Sequence, residues 1–195
     1  MGHLARFELG GKVVIVTGAG RGIGRTIALD AVRSGAKVAV GSRTVGELES
    51  LAAEIKSMDG ECFHHHLDVV SVASIQAFFA AVIAHYGRID GLVNNAGYNK
   101  QAPILDYGEE LYDQIVDANL KNVFFCSQVA AKQFIAQSPL LFICHTHLPV
   151  RSSLLDAFRT FRHIITYRNK KENAGCNFSS QCASSGSEIL KQSDK

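Results

Sequence analysis

Residues 12–24, which read KVVIVTGAGRGIG, decide the fold. The short β-branched run over 12–17 is typical of a buried parallel strand. A glycine-rich turn follows it, and the spacing of Ile23, Ile27 and Ala31 then predicts a helix over 22–34. Such a turn between strand and helix suits a pyrophosphate, because glycines let backbone N–H groups approach the anion and a helix N-terminus favours negative charge. The stretch therefore predicts a dinucleotide-binding turn.

The alternation of strand and helix continues along the chain. Further strands are predicted over 37–41, 61–67 and 91–94, and helices over 45–58, 71–86 and 109–136, the last bent near Asn119. This order predicts βαβ units with right-handed crossovers. We therefore expect an α/β fold, a Rossmann-like doubly wound parallel sheet in three αβα layers. The expected strand order is 3-2-1-4, with 140–144 as a possible fifth strand.

The composition changes after Gln137. Residues 1–137 hold 15 of the 17 glycines and carry 12 Lys and Arg against 14 Asp and Glu. Residues 138–195 hold 2 glycines and 9 serines, with 8 basic against 4 acidic residues. We therefore predict a dinucleotide-binding domain over 1–137, followed by an atypical tail over 138–195. The fold is expected to be truncated at this C-terminal side.

Four motifs, in order, resemble the short-chain dehydrogenase/reductase family over about residues 8–137. They are the T-G-x-x-x-G-x-G spacing of Thr17–Gly24, the Leu67-Asp68-Val69 segment after the third strand, the Asn94-Asn95-Ala96-Gly97 segment after the fourth, and Asn119 in the long helix. The resemblance implies hydride transfer between a nicotinamide dinucleotide and a small-molecule carbonyl or alcohol, as in reductases of 3-oxoacyl thioesters, sugars and small ketones. It also implies a homo-oligomer, which the unusual tail makes doubtful.

The glycine turn, the resemblance and the end of the second strand together predict the cofactor-binding residues. The set is Thr17, Gly18, Gly20, Arg21, Gly22, Ile23, Gly24, Ser42, Arg43, Asp68, Val69, Asn95, Ala96 and Gly97. In the family pattern Asp68 lies near the adenine, and Asn119 holds a water of the proton relay.

The end of the second strand bears on the choice of dinucleotide. NAD-preferring sites place a carboxylate there to hold the ribose 2′-OH. Here Ser42 stands at that position, Arg43 follows it, and Arg21 lies within the glycine turn. Two guanidinium groups suit a 2′-phosphate through charge-assisted hydrogen bonds, so NADP(H) is favoured over NAD(H).

The resemblance also implies a Ser at the end of the fifth strand, and a Tyr followed four residues later by a Lys. The chain offers Tyr167 and Lys171, about seven residues later than the family spacing, and Thr146, Ser152 or Ser153 for the Ser role. In one interpretation Tyr167 and Lys171 are catalytic together with Asn119. In the other, a Lys-rich segment supplies Lys171 by chance, because the polar stretch Glu172-Asn173-Ala174-Gly175 follows where the family has an apolar helix. The chain would then be an inactive, truncated or frame-shifted member that at most binds dinucleotide or a partner subunit.

Composition bears on the remaining function classes. A net charge of +2 argues against a strongly basic nucleic-acid binder, and no apolar run reaches membrane-spanning length. The N-terminus lacks a secretory apolar region, and the five cysteines are scattered, so a cytoplasmic protein is expected. His64, His65 and His66 alternate across a strand, and His145 and His147 have no evident third ligand, so no metal site is predicted.

Overall fold

The computed structural model describes residues 9–137 and, as backbone, residues 142–145. Five strands in this part of the chain form one parallel sheet in the order β3-β2-β1-β4-β5. The strands are β1 (Val13–Thr17), β2 (Lys37–Ser42), β3 (Cys62–His66), β4 (Gly91–Asn94) and β5 (Phe142–His145). The predicted Rossmann-like fold and strand order are confirmed. The described residues of the fifth strand overlap the predicted 140–144.

Within the described residues, five α-helices connect or cover these strands. They are α1 (Gly22–Arg33), α2 (Val45–Ser57), α3 (Val72–Tyr86), α4 (Glu109–Val116) and α5 (Asn122–Gln137), with a short 3-10 helix at Ile104–Asp106. The Ser71 hydroxyl begins α3 by accepting the Ser74 N–H at 3.2 Å, as N-cap residues do. Gly87 ends the same helix in the left-handed region at φ 72°, a conformation that glycine adopts without strain.

Alternation along the strands divides the core between the two faces of the sheet. Val13 and Ile15 pack with α3 and α5, whereas Val14 and Val16 pack with α1 and α2. These four side chains are almost fully buried, as expected for a strand covered on both sides. The strand ends, and the loops that leave them, are thereby fixed relative to one another.

The long helical stretch is interrupted where a bend was predicted. Residues Asp117–Lys121 form a π-helical turn between α4 and α5, and the Asn122 N–H bonds to the carbonyl of Asp117. Asn119 lies inside this turn. A π turn widens the helix and is frequently found at functional sites.

Two further properties concern the described residues only. No helix among them is both long and apolar enough to cross a membrane. They also contain no cluster of three or more His, Cys, Asp or Glu side chains suited to a metal ion.

Candidate functional site

A cavity of about 860 Å³ opens where β1, β2 and β4 end. β1 lies between β2 and β4, so the chain reverses its direction of winding at this point. Open parallel sheets bind ligands in the crevice outside the carboxyl ends of the strands at such a switch point. The volume falls within the range usual for ligand pockets, about 300–1,000 Å³.

The glycine turn forms the floor of the cavity. Gly18 has φ 66°, and a Cβ there would lie 2.7 Å from the Cα of Ala96, so only glycine allows this close approach. Gly22 has φ 58°, and a Cβ there would meet nothing within 4 Å. The turn is therefore packed tightly against the β4 loop at Gly18 and open at Gly22, where α1 begins.

The N-terminus of α1 is suited to an anion. Arg21 is the N-cap residue, but its side chain makes no capping hydrogen bond, and the first turn contains no acidic residue. The first backbone N–H groups of α1 lack partners within the helix, and the helix dipole adds partial positive charge at this end. These features fit the pyrophosphate of a dinucleotide.

Thr17 joins the glycine turn to the loop after β4. Its hydroxyl oxygen accepts the N–H groups of Asn95 and Ala96, each at 3.0 Å, and donates to the carbonyl of Val93 at 3.4 Å. The Asn95 amide donates back to the carbonyls of Thr17 and Gly18 at 3.0 and 3.1 Å. Two walls of the cavity are thus held together by hydrogen bonds.

Asn119 supports the next part of the same loop. Its amide nitrogen donates to the carbonyls of Tyr98 and Ile115 at 2.6 and 2.7 Å, and its oxygen accepts the Tyr98 N–H at 3.3 Å. Asn122 is buried and donates to the carbonyls of Ala96, at 3.3 Å, and of Ala118. The π turn and the first residue of α5 therefore carry two amide side chains that hold residues 96–98 in place.

The corner after β2 carries charges of both signs. Arg21 and Arg43 are exposed and line the cavity. Neither side chain forms a hydrogen bond or ion pair within the part of the chain that the structure describes. The carboxylate of Glu47, in the first turn of α2, lines the same corner.

Carboxylates stand at two other places. Asp68, after β3, lines the cavity, and its Oδ1 accepts the Val70 N–H at 3.2 Å. Glu110, Asp113 and Asp117 line the opposite wall on α4 and the π turn. The cavity is therefore lined by charges of both signs near the glycine turn and by acidic side chains along α4.

Most residues predicted from the sequence come together here. The cavity is lined by Gly18, Gly20, Arg21, Gly22, Ile23, Gly24, Ser42, Arg43, Asp68, Val69, Asn95, Ala96 and Gly97. Thr17 and Asn119 instead lie behind the wall and support it. The predicted Tyr167 and Lys171, and the alternatives Thr146, Ser152 and Ser153, lie outside the described residues.

Sequence reasoning missed several lining residues. They are Thr44, Glu47, Leu67, Val70, Tyr98, Glu110, Asp113, Gln114, Asp117 and Ala118. One signal was available for Glu47, which lies three residues after the N-cap Thr44. At that spacing a side chain reaches back toward the start of its helix, and here the helix starts at the cavity.

Comparison with known proteins identifies the same family that the sequence motifs resemble. A family model described as short chain dehydrogenase matches residues 12–140. The 3-oxoacyl-(acyl-carrier-protein) reductase of Staphylococcus aureus is 37% identical over 129 residues, which are 65% of this chain and 52% of the reductase. The chain thus spans about half the length of the curated relatives it matches.

Solved structures extend the likeness to three dimensions. A metagenomic short-chain oxidoreductase in complex with NADP aligns with TM-score 0.69 at 32% identity, over 78% of this chain and 71% of that one. A short chain dehydrogenase/reductase from Burkholderia phymatum in complex with NAD also aligns with TM-score 0.69, at 26% identity, over 71% and 50% of the two chains.

Proposed function

Because the chain belongs to the short-chain dehydrogenase/reductase family, we propose that it binds NADP(H) in the cavity at the ends of β1, β2 and β4. We propose further that it serves hydride transfer between this cofactor and a small carbonyl compound or alcohol. The observation that carries the proposal is the glycine turn, which opens at Gly22 onto an uncapped helix N-terminus.

The residues present fit a nicotinamide dinucleotide. The turn and the start of α1 would hold the pyrophosphate through backbone N–H groups. Arg21 and Arg43 would hold the 2′-phosphate, since both guanidinium groups line the cavity beside Ser42. Asp68 and Val69 would border the adenine, and residues 95–97 the nicotinamide half. Solved relatives that hold NADP or NAD support the dinucleotide class.

The reaction itself needs a proton donor beside the carbonyl. The bound nicotinamide would supply or accept the hydride. Tyr167 would hold the proton at its hydroxyl, and Lys171, four residues on, would lower the pKa of that hydroxyl. Asn119 would support the site from the π turn, where its amide fixes the backbone of Tyr98. A 3-oxoacyl thioester is one candidate substrate, because a reductase of that class is similar to this chain.

The cofactor proposal is tested by titrating the full chain with NADPH and with NADH and following the fluorescence of the reduced nicotinamide. We expect NADPH to bind more tightly. The Arg43→Gln variant should weaken NADPH binding about tenfold with little change for NADH, because it removes a charged partner of the phosphate. Arg33→Gln is the matched control, since Arg33 ends α1 and pairs with Asp30. Equal losses of NADPH binding in both variants would refute the role of Arg43.

A second candidate is a family member that binds dinucleotide without turning it over. The observation that favours it is the late position of Tyr167 and Lys171 within a charged, polar segment. NADPH oxidation with an acetoacetyl thioester or a small ketone separates the two. Carbonyl-dependent oxidation that disappears in Tyr167→Phe supports the enzyme. Tight NADPH binding with no oxidation of NADPH supports the second candidate.

A further inference from the structure

Gly20 and Glu47 are packed against each other at the corner of the cavity after β2. A Cβ built on Gly20 would lie 2.5 Å from Oε2 of Glu47 and 3.1 Å from the Ser42 hydroxyl. Glycine at position 20 therefore leaves the space that the Glu47 carboxylate fills. A carboxylate thus lies beside the end of β2, although no acidic residue follows that strand directly in the sequence.

Arg25 links the backbone of Gly20 to the backbone of Glu47. Its Nη1 donates to the backbone carbonyls of Gly20 and Glu47 at 3.5 and 3.4 Å, and its Nη2 pairs with Glu54 at 2.6 Å. One guanidinium group therefore joins the glycine turn to the first turn of α2. Glu47 is half-buried in this arrangement, so its location is set by the packing of α1 against α2.

We propose that Glu47 is a specificity-determining residue that opposes the 2′-phosphate of NADP(H), so that the preference between the two dinucleotides is a balance of Arg21 and Arg43 against Glu47. This inference rests on the proposed function above. An acidic side chain at this corner accepts a hydrogen bond from a ribose 2′-OH, whereas it repels a phosphate on the same oxygen. NADP(H) is then bound less strongly than the two arginines alone would allow.

The test compares Glu47→Gln with the unaltered chain by titration with NADPH and with NADH. Glutamine keeps the size of the side chain and removes the charge. We expect Glu47→Gln to tighten NADPH binding about tenfold, the order expected for removing one like charge near a phosphate at a partly exposed site. NADH binding should stay the same or weaken. The gain should shrink at 1 M salt, where charges are screened within about 3 Å.

Glu49→Gln is the matched control. Glu49 lies on the same helix, is exposed, and is not among the described residues that line the cavity. The control should change neither dissociation constant more than twofold. Weaker or unchanged NADPH binding in Glu47→Gln would overturn the inference while leaving the proposed function intact. If the folded, unaltered chain binds neither dinucleotide, the proposed function itself fails.

Discussion

The hydroxyl of Thr17 makes three hydrogen bonds in the described site. It is fully buried and bonds to three backbone groups of the β4 segment. The N–H groups of Asn95 and Ala96, both in half-buried residues, would lose this partner in Thr17→Val. A donor left unpaired where water does not reach it costs about 1–3 kcal/mol.

We therefore expect Thr17→Val to lower the free energy of unfolding in urea by about 2–4 kcal/mol and to weaken NADPH binding. Thr17→Ser keeps the hydroxyl and should recover most of the loss. Thr26→Val is the control, because Thr26 is exposed, and it should cost less than about 0.5 kcal/mol. A Thr17→Val chain as stable as its parent would show that the loop does not depend on this hydroxyl.

Asp90 is a buried charge at the opposite end of the sheet from the cavity. Burial by itself raises the pKa of its carboxyl, but the hydrogen bonds from Arg88 and from the Val13 N–H, at 2.9 Å, outweigh burial and hold the pKa below its usual range. The pKa in the folded chain is therefore lower than in the unfolded chain. The stability that Asp90 contributes is fully present above the unfolded value of about 3.9 and is lost as the pH falls through the lowered folded value.

The lowered pKa of Asp90 predicts how the stability of the chain changes in acid. Below about pH 4 the free energy of unfolding should fall more steeply with decreasing pH in the parent chain than in Asp90→Asn. At pH 7, Asp90→Asn should be less stable by roughly 1–3 kcal/mol. Asp106→Asn, at an exposed position, should reproduce the pH dependence of the parent. Identical slopes for the parent chain and Asp90→Asn would contradict the lowered pKa of Asp90.

At the scale of elements, the turn that joins β1 to α1 is packed so closely that position 24 has no space for a side chain. A Cβ on Gly24 would lie 2.5 Å from the carbonyl oxygen of Gly18 and would also meet the Asn95 amide. Gly24→Ala should therefore destabilise the chain by about 1–3 kcal/mol, as overpacking does, and should reduce NADPH affinity. Gly46→Ala, in α2 with nothing within 4 Å, should instead be neutral or stabilising by up to about 1 kcal/mol. Urea unfolding of both variants checks the contrast, which equal effects would contradict.

The elements could be predicted from sequence because their signals are local. Apolar periodicity and the glycines placed four strands and three helices within one or two residues of their observed ends. The π turn was anticipated only as a bend near Asn119, because its stability comes from bonds to Tyr98, about twenty positions earlier. Glu47 was missed for a related reason. Its spacing from Thr44 places it in the first turn of α2, but its contact with Gly20 results from the packing of α1 against α2, which spacing alone does not reveal.

At the scale of the whole molecule, the walls of the cavity belong to the doubly packed sheet. Both hydrophobic cores that the structure describes lie between residues 9 and 137, and so do the described residues that line the cavity. Dinucleotide binding should therefore depend on this part of the chain, whereas the predicted proton donor Tyr167 lies beyond it. Binding and turnover are separable in such an arrangement.

Thermal unfolding tests whether dinucleotide binding is independent of Tyr167. NADPH at 100 times its dissociation constant should stabilise the chain by about 2.7 kcal/mol, or roughly 5–10 °C in Tm for a chain of this size. The Tyr167→Phe variant should keep this shift, because it leaves every described lining residue unchanged, whereas Gly24→Ala should show a smaller shift at the same NADPH concentration. Loss of the shift in Tyr167→Phe would mean that residues after 137 help to bind the dinucleotide. The cofactor site would then extend beyond the glycine turn and the β4 loop.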